Sequence, residues 1–352
     1  MNSYIKVQIS IYISIVLFSF ILITTNAMAQ PTGFLYSNEI SKGSTIYIIS
    51  NHDTTMINNE VYSNYELSKD SIPYFFKGEF ITADSIHYTL MDSSQFINEI
   101  SAIEDDWLLF IHGAGKTFNN AVHRGYDVQH YQKVNVIVFS WPSRNPNISP
   151  GENLKTMRPN VSKSMVHYKY ILSLMRTFRK ENKGFETHSL SAIYHSIGNQ
   201  YPKNLALEDS AFANQEPIFK YSIINAAAVE EKNHTQWVEN FNLQERIIIN
   251  SNINDVNLNG IRIFTKESYQ LGETAFYPLA KNATYINFSD IVKFTLPPGA
   301  AHTYFIGKSP AKYPSVYDFY YDIFHGISSN FTQIPYIKKR ADGDVYDFLK
   351  DQ

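Results

Sequence analysis

The pattern of apolar and polar positions changes character along the chain. Residues 44–50 (STIYIIS), 74–81 (YFFKGEFI) and 85–90 (SIHYTL) are short, rich in β-branched and aromatic residues, and separated by polar turns. That predicts strands. A short helix is expected around 94–103. From Trp107 the apolar stretches become compact and unbroken: 107–111 (WLLFI), 134–139 (VNVIVF), 189–194 (SLSAIY), 221–225 (YSIIN) and 246–250 (RIIIN). Helix-like segments separate most of them. Unbroken apolar strands alternating with helices predict a mostly parallel sheet with helices on both faces, here with an antiparallel N-terminal edge. The spacing of Met165, Tyr168, Leu172, Met175 and Phe178 predicts a helix over 161–178. Val316, Phe319, Tyr320, Ile323 and Phe324 repeat at helical spacing and predict a core-facing helix late in the fold.

Composition narrows the function classes. The 352 residues are 44% hydrophobic and 18% charged, enough apolar side chain for a real core. Net charge is −3, so nothing in the charge balance points to nucleic acid or to an anionic membrane surface. There is no cysteine, which excludes disulfides, a thiol nucleophile and thiolate metal sites. No cluster of residues has metal-ligand spacing, and no cofactor motif is present. The sequence implies neither a metal nor a cofactor.

The first residues read as a targeting segment. Lys6 supplies a positive start, an apolar stretch runs over 9–24, and Ala27-Met28-Ala29 gives a small-x-small cleavage pattern. The stretch is shorter than the roughly 20 residues of a membrane span. A signal peptide over 1–29, cut after Ala29, is expected. The protein would then be secreted or periplasmic with no transmembrane anchor after processing. Without an internal repeat or a Gly/Ser linker, 30–352 reads as one domain, with N-terminal strands over 30–100 and a core over 101–352.

Ser196 is the residue that draws chemistry. It lies where the apolar strand SLSAIY ends and a helix should begin. A serine on such a sharp turn projects its hydroxyl above the sheet edge, and the following N–H, from Ile197, points into the same space. Gly198, two positions on, lets the turn close. His112-Gly113-Ala114-Gly115 directly follows the strand WLLFI. The backbone N–H groups of Ala114 and Ile197 are therefore the expected oxyanion donors, with His112, Gly113 and Gly198 as supporting turn residues. Gly113-Ala114-Gly115-Lys116-Thr117 lacks full phosphate-loop spacing, so Lys116 is not read as a phosphate ligand. A serine nucleophile needs a base, and the base needs an orienting acid. In sheets of this kind the order is Ser, acid, His. Asp255 ends the polar loop after RIIIN and is the expected acid, with Asp290 as competitor. His302, in a Pro/Gly loop suited to a mobile, exposed base, is the expected base. His325 and His234 are its rivals, and the His195 side chain is expected to point away from the reaction centre.

These segments resemble the α/β-hydrolase superfamily, and most closely the bacterial group catalogued as domain of unknown function 900. The resemblance rests on Ile111-His112-Gly113, Ser140-Trp141-Pro142-Ser143, His195-Ser196-Ile197-Gly198-Asn199, a looser acid loop from Ser251 to Leu258, and His302-Thr303-Tyr304-Phe305. It covers roughly residues 44 to 325. It implies a serine hydrolase, esterase- or lipase-like, acting on a small-molecule or lipid-like ester. An exported binding or scaffold protein that keeps the fold without turnover is the alternative, and a peptidase on the same triad is a third reading. Three departures from the pattern bear on activity. Tyr194 stands where such turns carry Gly or Ala, Pro202 is expected to split the helix after Ser196, and the acid loop has one residue more than usual.

Overall fold

The structure, a computed structural model, describes residues 43–350 apart from 58–59, 84, 294–297, 328–329 and 342. The expected signal peptide lies outside the described residues.

Strands whose side chains are apolar on both faces are stable only when helices cover both faces. The central strands meet that condition. β6 (Trp107–Ile111), β7 (Asn135–Ser140), β8 (Leu190–His195), β9 (Phe219–Asn225), β10 (Gln244–Ser251) and β11 (Ala283–Asn287) are almost wholly buried. They pair in parallel in the order β11-β10-β9-β8-β6-β7. β1 (Thr45–Ser50) extends this side as a further parallel strand on β7, and β4 (Tyr74–Thr82) and β5 (Ser85–Met91) add the antiparallel edge. The N-terminal strands thus belong to the same eleven-stranded sheet as the central ones. The fold is that of an α/β hydrolase: a mostly parallel sheet covered by helices.

Two strand pairs were not anticipated. β2 (His52–Ile57) and β3 (Glu60–Leu67) form a separate antiparallel ribbon, and β12 (Ile337–Lys339) with β13 (Val345–Phe348) closes the far edge through β13 on β11. Their mixed or very short sequences carry little periodic signal.

The helices that flank the site are α1 (Ser93–Ser101), α2 (Phe118–Gln132), α3 (Pro150–Lys163), α4 (Met165–Glu181), α5 (Gln200–Glu208), α6 (Val256–Thr265) and α7 (Pro314–Phe324). The single helix expected over 161–178 is interrupted at Ser164, whose hydroxyl bonds back to the Asn160 carbonyl at 2.6 Å. Such back-bonding competes with the helix ladder and bends it. The five predicted apolar positions of α4 and the five of α7 are all buried. Because β6 to β11 run in parallel, their C-terminal ends open along one edge of the sheet. His112, Ser196 and Asp255 all follow such ends, and among the described residues no helix is long and apolar enough to cross a membrane.

Candidate active site

Ser196 follows β8 at once and has φ +55°, a left-handed backbone that L-residues rarely adopt. Such a conformation costs about 1–2 kcal/mol and persists only where the surroundings enforce it. They do so here. The Asn199 side-chain amide donates to the carbonyls of Tyr194 (2.9 Å), Ser196 (3.0 Å) and, on the neighbouring strand, Asn225 (3.3 Å). The Ser196 carbonyl also accepts from the Ala228 N–H at 3.1 Å. A Cβ on Gly198 would lie 2.9 Å from the carbonyls of both Ile111 and His112, and one on Gly113 would lie 2.6 Å from the Ser196 Cβ. Gly198 is required because backbone passes where a side chain would stand, and Gly113 because the Ser196 and His195 side chains already fill that space.

The unusual residues of this turn are accommodated. Tyr194 is fully buried, its hydroxyl 2.8 Å from that of Tyr168 and its ring edge-on to Phe241. The turn after Ser196 is a short 3-10 segment, Ser196–Asn199, and α5 begins afresh at Gln200. Pro202 is therefore the third residue of α5, within the first turn, where an N–H has no helical acceptor to lose. The split lies ahead of Pro202 rather than at it.

Asp255 divides its carboxylate. One oxygen caps α6, accepting from the N–H groups of Asn257 (3.0 Å) and Leu258 (3.3 Å); the other accepts from His302 Nδ1 at 2.6 Å. Asp255 is fully buried. The longer acid loop does not keep it from His302. His302 itself is only 7% exposed, which corrects the expectation of a mobile, exposed base. Its loop is held by its carbonyls: that of Gly299 accepts from His302 N–H, Ala300 from Ser309, Ala301 from Asn252, His302 from His195 and Phe305 from Gln132. Buried carbonyls each need a donor, and here they fix the loop.

His195 corrects a second expectation. Its ring lies 4.6 Å from the His302 ring, and its Nε2–H donates to the His302 carbonyl at 3.2 Å. It faces His302 rather than away from it. Burial, reinforced by the charge of His302, holds its pKa well below the usual histidine range, so the ring is neutral. No hydrogen bond joins Ser196 to the His302 ring among the described residues, and Ser196 is 2% exposed. His302 Nε2 has no protein partner among the described residues.

The loop after β6 is pinned on two sides. His112 Nδ1–H donates to the Gly113 carbonyl at 2.8 Å, while its Nε2 accepts the Trp141 N–H at 3.1 Å. The Trp141 indole N–H donates to the His112 carbonyl at 2.9 Å, and the two rings stack at 5.4 Å. This pattern needs the neutral ring, and burial pushes the His112 pKa down to about 3. Farther along, Ser143 brackets Lys116, accepting from its N–H and donating to its carbonyl. Among the described residues no acceptor outside its own turn takes the N–H of Ala114 or of Ile197.

The rivals lie elsewhere. Asp290 is largely exposed and meets Lys293. His325 is held between Asp106 (2.8 Å) and the Gln132 carbonyl (2.9 Å), and His234 between the Glu231 carbonyl and the Tyr285 hydroxyl. Asp105, Asp106 and His188 bring possible ligand atoms within 4.8 Å of one another at the opposite end of β6. Both Asp106 oxygens are already engaged there, by Ser189 N–H and by His325. Sequence reasoning gave no role to Asn199 or Asn252 and missed the paired asparagines at the C-terminal ends of β9 and β10, Asn225 closing the first and Asn250 one residue short of the end of the second. Asn225 and Asn250 meet each other and the Tyr320 hydroxyl in the interior. The signal was present, because an asparagine closing an otherwise apolar strand has to find partners.

The family described as Alpha/beta hydrolase of unknown function (DUF900) matches residues 91–307. That interval holds the turn after β6, Ser196, Asp255 and His302. No curated protein matches the chain.

Proposed function

We propose that this chain, which belongs to the DUF900 family of α/β hydrolases, is a serine hydrolase that cleaves carboxylic esters of small or lipid-like molecules. The observation that carries the reading is the His302–Asp255 hydrogen bond beside the left-handed turn of Ser196. Ser196 Oγ attacks the ester carbonyl and its proton passes to His302 Nε2. Asp255, on Nδ1, fixes the tautomer and stabilises the imidazolium. The negative charge on the tetrahedral oxygen is taken by the N–H groups of Ala114 and Ile197. The C–O bond to the alcohol breaks as His302 returns its proton to the leaving oxygen. Water then repeats the sequence on the acyl-enzyme and releases the acid.

A fluorophosphonate probe tests this. The wild type should be labelled and Ser196→Ala should not. The second reading, a binding protein without turnover, draws support from the closed Ser196, which makes no bond to His302. Equal labelling of the two proteins, or none of either, would favour it. We further propose export with cleavage after Ala29, on the strength of the apolar segment and Ala27-Met28-Ala29. Intact mass of the exported chain should correspond to a start at Gln30; retention of Met1 overturns that.

A further inference from the structure

Four chain segments carry cations around the loops that hold the candidate site. Lys116 stands two residues beyond Ala114, the proposed oxyanion donor. The bracket formed by Ser143, with Gly115 N–H also on the Ser143 carbonyl at 3.4 Å, lays this loop against the segment that continues into Arg144. Arg124, on α2, lines a crevice with Ala300 and Thr303, which flank His302, and Lys308 lines the same crevice. Lys116 and Arg124 are close enough to His195 for their charge to disfavour its protonation. The carboxylate in this group is Asp127, 3.9 Å from Arg124 and also on the crevice wall.

Lys116 is the least compensated member. It is half-buried, and among the described residues its ammonium makes no ion pair or hydrogen bond. Burial, with repulsion from Arg124 and Arg144 outweighing the attraction of Asp127, pushes its pKa down to about 7. An ammonium held partly out of water beside two like charges gains most from an anion of the substrate. We propose that the site selects esters that carry an anionic group, a carboxylate or a phosphate, and that Lys116 and Arg124 receive that group next to the scissile carbonyl. This rests on the serine-hydrolase reading and adds the charge of its substrate.

The test compares kcat/KM within two pairs that share acyl length and leaving-group type: neutral p-nitrophenyl butyrate with anionic p-nitrophenyl hemisuccinate, and neutral butyryl glycerol with anionic butyryl glycerol 3-phosphate. Wild type should prefer at least one anionic ester by about tenfold or more, the range a charge-assisted hydrogen bond is worth. The pair with the larger anionic-to-neutral ratio identifies carboxylate or phosphate as the group received. The preference should shrink as ionic strength rises. In Lys116→Gln the ratio of anionic to neutral kcat/KM should fall about tenfold, and Lys116→Arg should retain it. Using the ratio removes any general effect of a substitution on the fold. A ratio near one in wild type, or one unchanged in the Lys116→Gln/Arg124→Gln double variant, overturns the inference while leaving ester hydrolysis intact. Should no ester be turned over, binding of monoethyl succinate and of ethyl phosphate to wild type and Lys116→Gln still decides it. Binding that depends on Lys116 upholds the anion site and removes the hydrolase reading; binding that does not overturns the inference.

Discussion

Asp255 has one role in the fold and, in the reading proposed above, a second in the chemistry. Its two oxygens have different partners: one closes the first turn of α6, the other holds His302. The two roles can be separated by substitution. In Asp255→Asn the amide still has an oxygen for the helix cap, and Asn caps as well as Asp. The amide nitrogen then faces His302 Nδ1, and a donor there favours the wrong imidazole tautomer. kcat should fall about ten-thousand-fold, with the urea midpoint close to wild type. Asp255→Ala should lose as much activity and also about 1 kcal/mol of cap. Equal midpoints for Asn and Ala, measured beside kcat, would show that the cap contributes nothing. The positions of Ser196 and Asp255 after β8 and β10 were legible in the sequence because each follows a run of apolar residues that has to be a strand, whereas His302 was picked from its Pro/Gly loop, and its bond to Asp255 was not legible. The direction of the His195 ring was not legible. It depends on the His302 loop, more than a hundred positions away in the chain, coming to lie against β8.

At the scale of elements the legible part is the part with strong periodicity. The unbroken runs 107–111, 221–225 and 246–250 fall within or match β6, β9 and β10. The ribbon of β2 and β3 and the short pair β12–β13 escaped because polar, edge-forming or three-residue strands carry no such signal. The contacts between elements that shape the oxyanion loop escaped for another reason. His112 and Trp141 directly follow neighbouring strands, and only the register of β6 on β7 brings them together. Their pairing explains why a tryptophan stands directly after β7. Its indole gives the His112 carbonyl a donor, and its backbone N–H fixes His112 as the neutral tautomer. Trp141→Phe keeps much of the ring packing and removes the indole donor, leaving a buried carbonyl unpaired. Stability should drop by about 1–3 kcal/mol. kcat/KM should drop with it, since the loop that carries Ala114 loses one of its anchors. Urea unfolding and ester kinetics on the same preparation check this. A variant that is destabilised yet fully active would mean that the pin serves the fold alone.

For the whole molecule, the buried histidines set how stability depends on pH. Burial holds His52 down to about 4 and His112 down to about 3. Burial together with the charge of His302 holds His195 well below the usual range. In the unfolded chain each titrates near 6.5. From about pH 6.5 down to about 4, the unfolded state therefore binds protons that the native state refuses. Stability that these rings contribute is present above 6.5 and is lost as pH falls through that window. Each proton is worth roughly 1.4 kcal/mol per pH unit, so three together approach about 4 kcal/mol per unit. His325 has the opposite sign. Burial opposes its charge, but the Asp106 carboxylate and the Gln132 carbonyl outweigh it and raise the pKa. Both ring nitrogens face acceptors, so the native state favours the imidazolium. Asp105 reinforces this, and the half-buried Asp322 and stacked Tyr321 flank the ring. The contribution of His325 is complete below 6.5 and is lost as pH rises through its raised native value. One such ring cannot offset these, and His167 and His234, whose pKa burial also lowers, act in the same direction as the three. Urea midpoints should fall steeply from pH 7 to pH 5. Above pH 7 the loss at His325 is opposed by Lys116, whose lowered pKa leaves the unfolded chain binding a proton that the native state lacks. His325→Gln should turn the alkaline slope upward and leave the acid slope in place. A midpoint that does not change between pH 7 and pH 5 would mean that His52, His112 and His195 accept protons in the native protein. The neutral His112 that pins the loop after β6 would then be wrong as well.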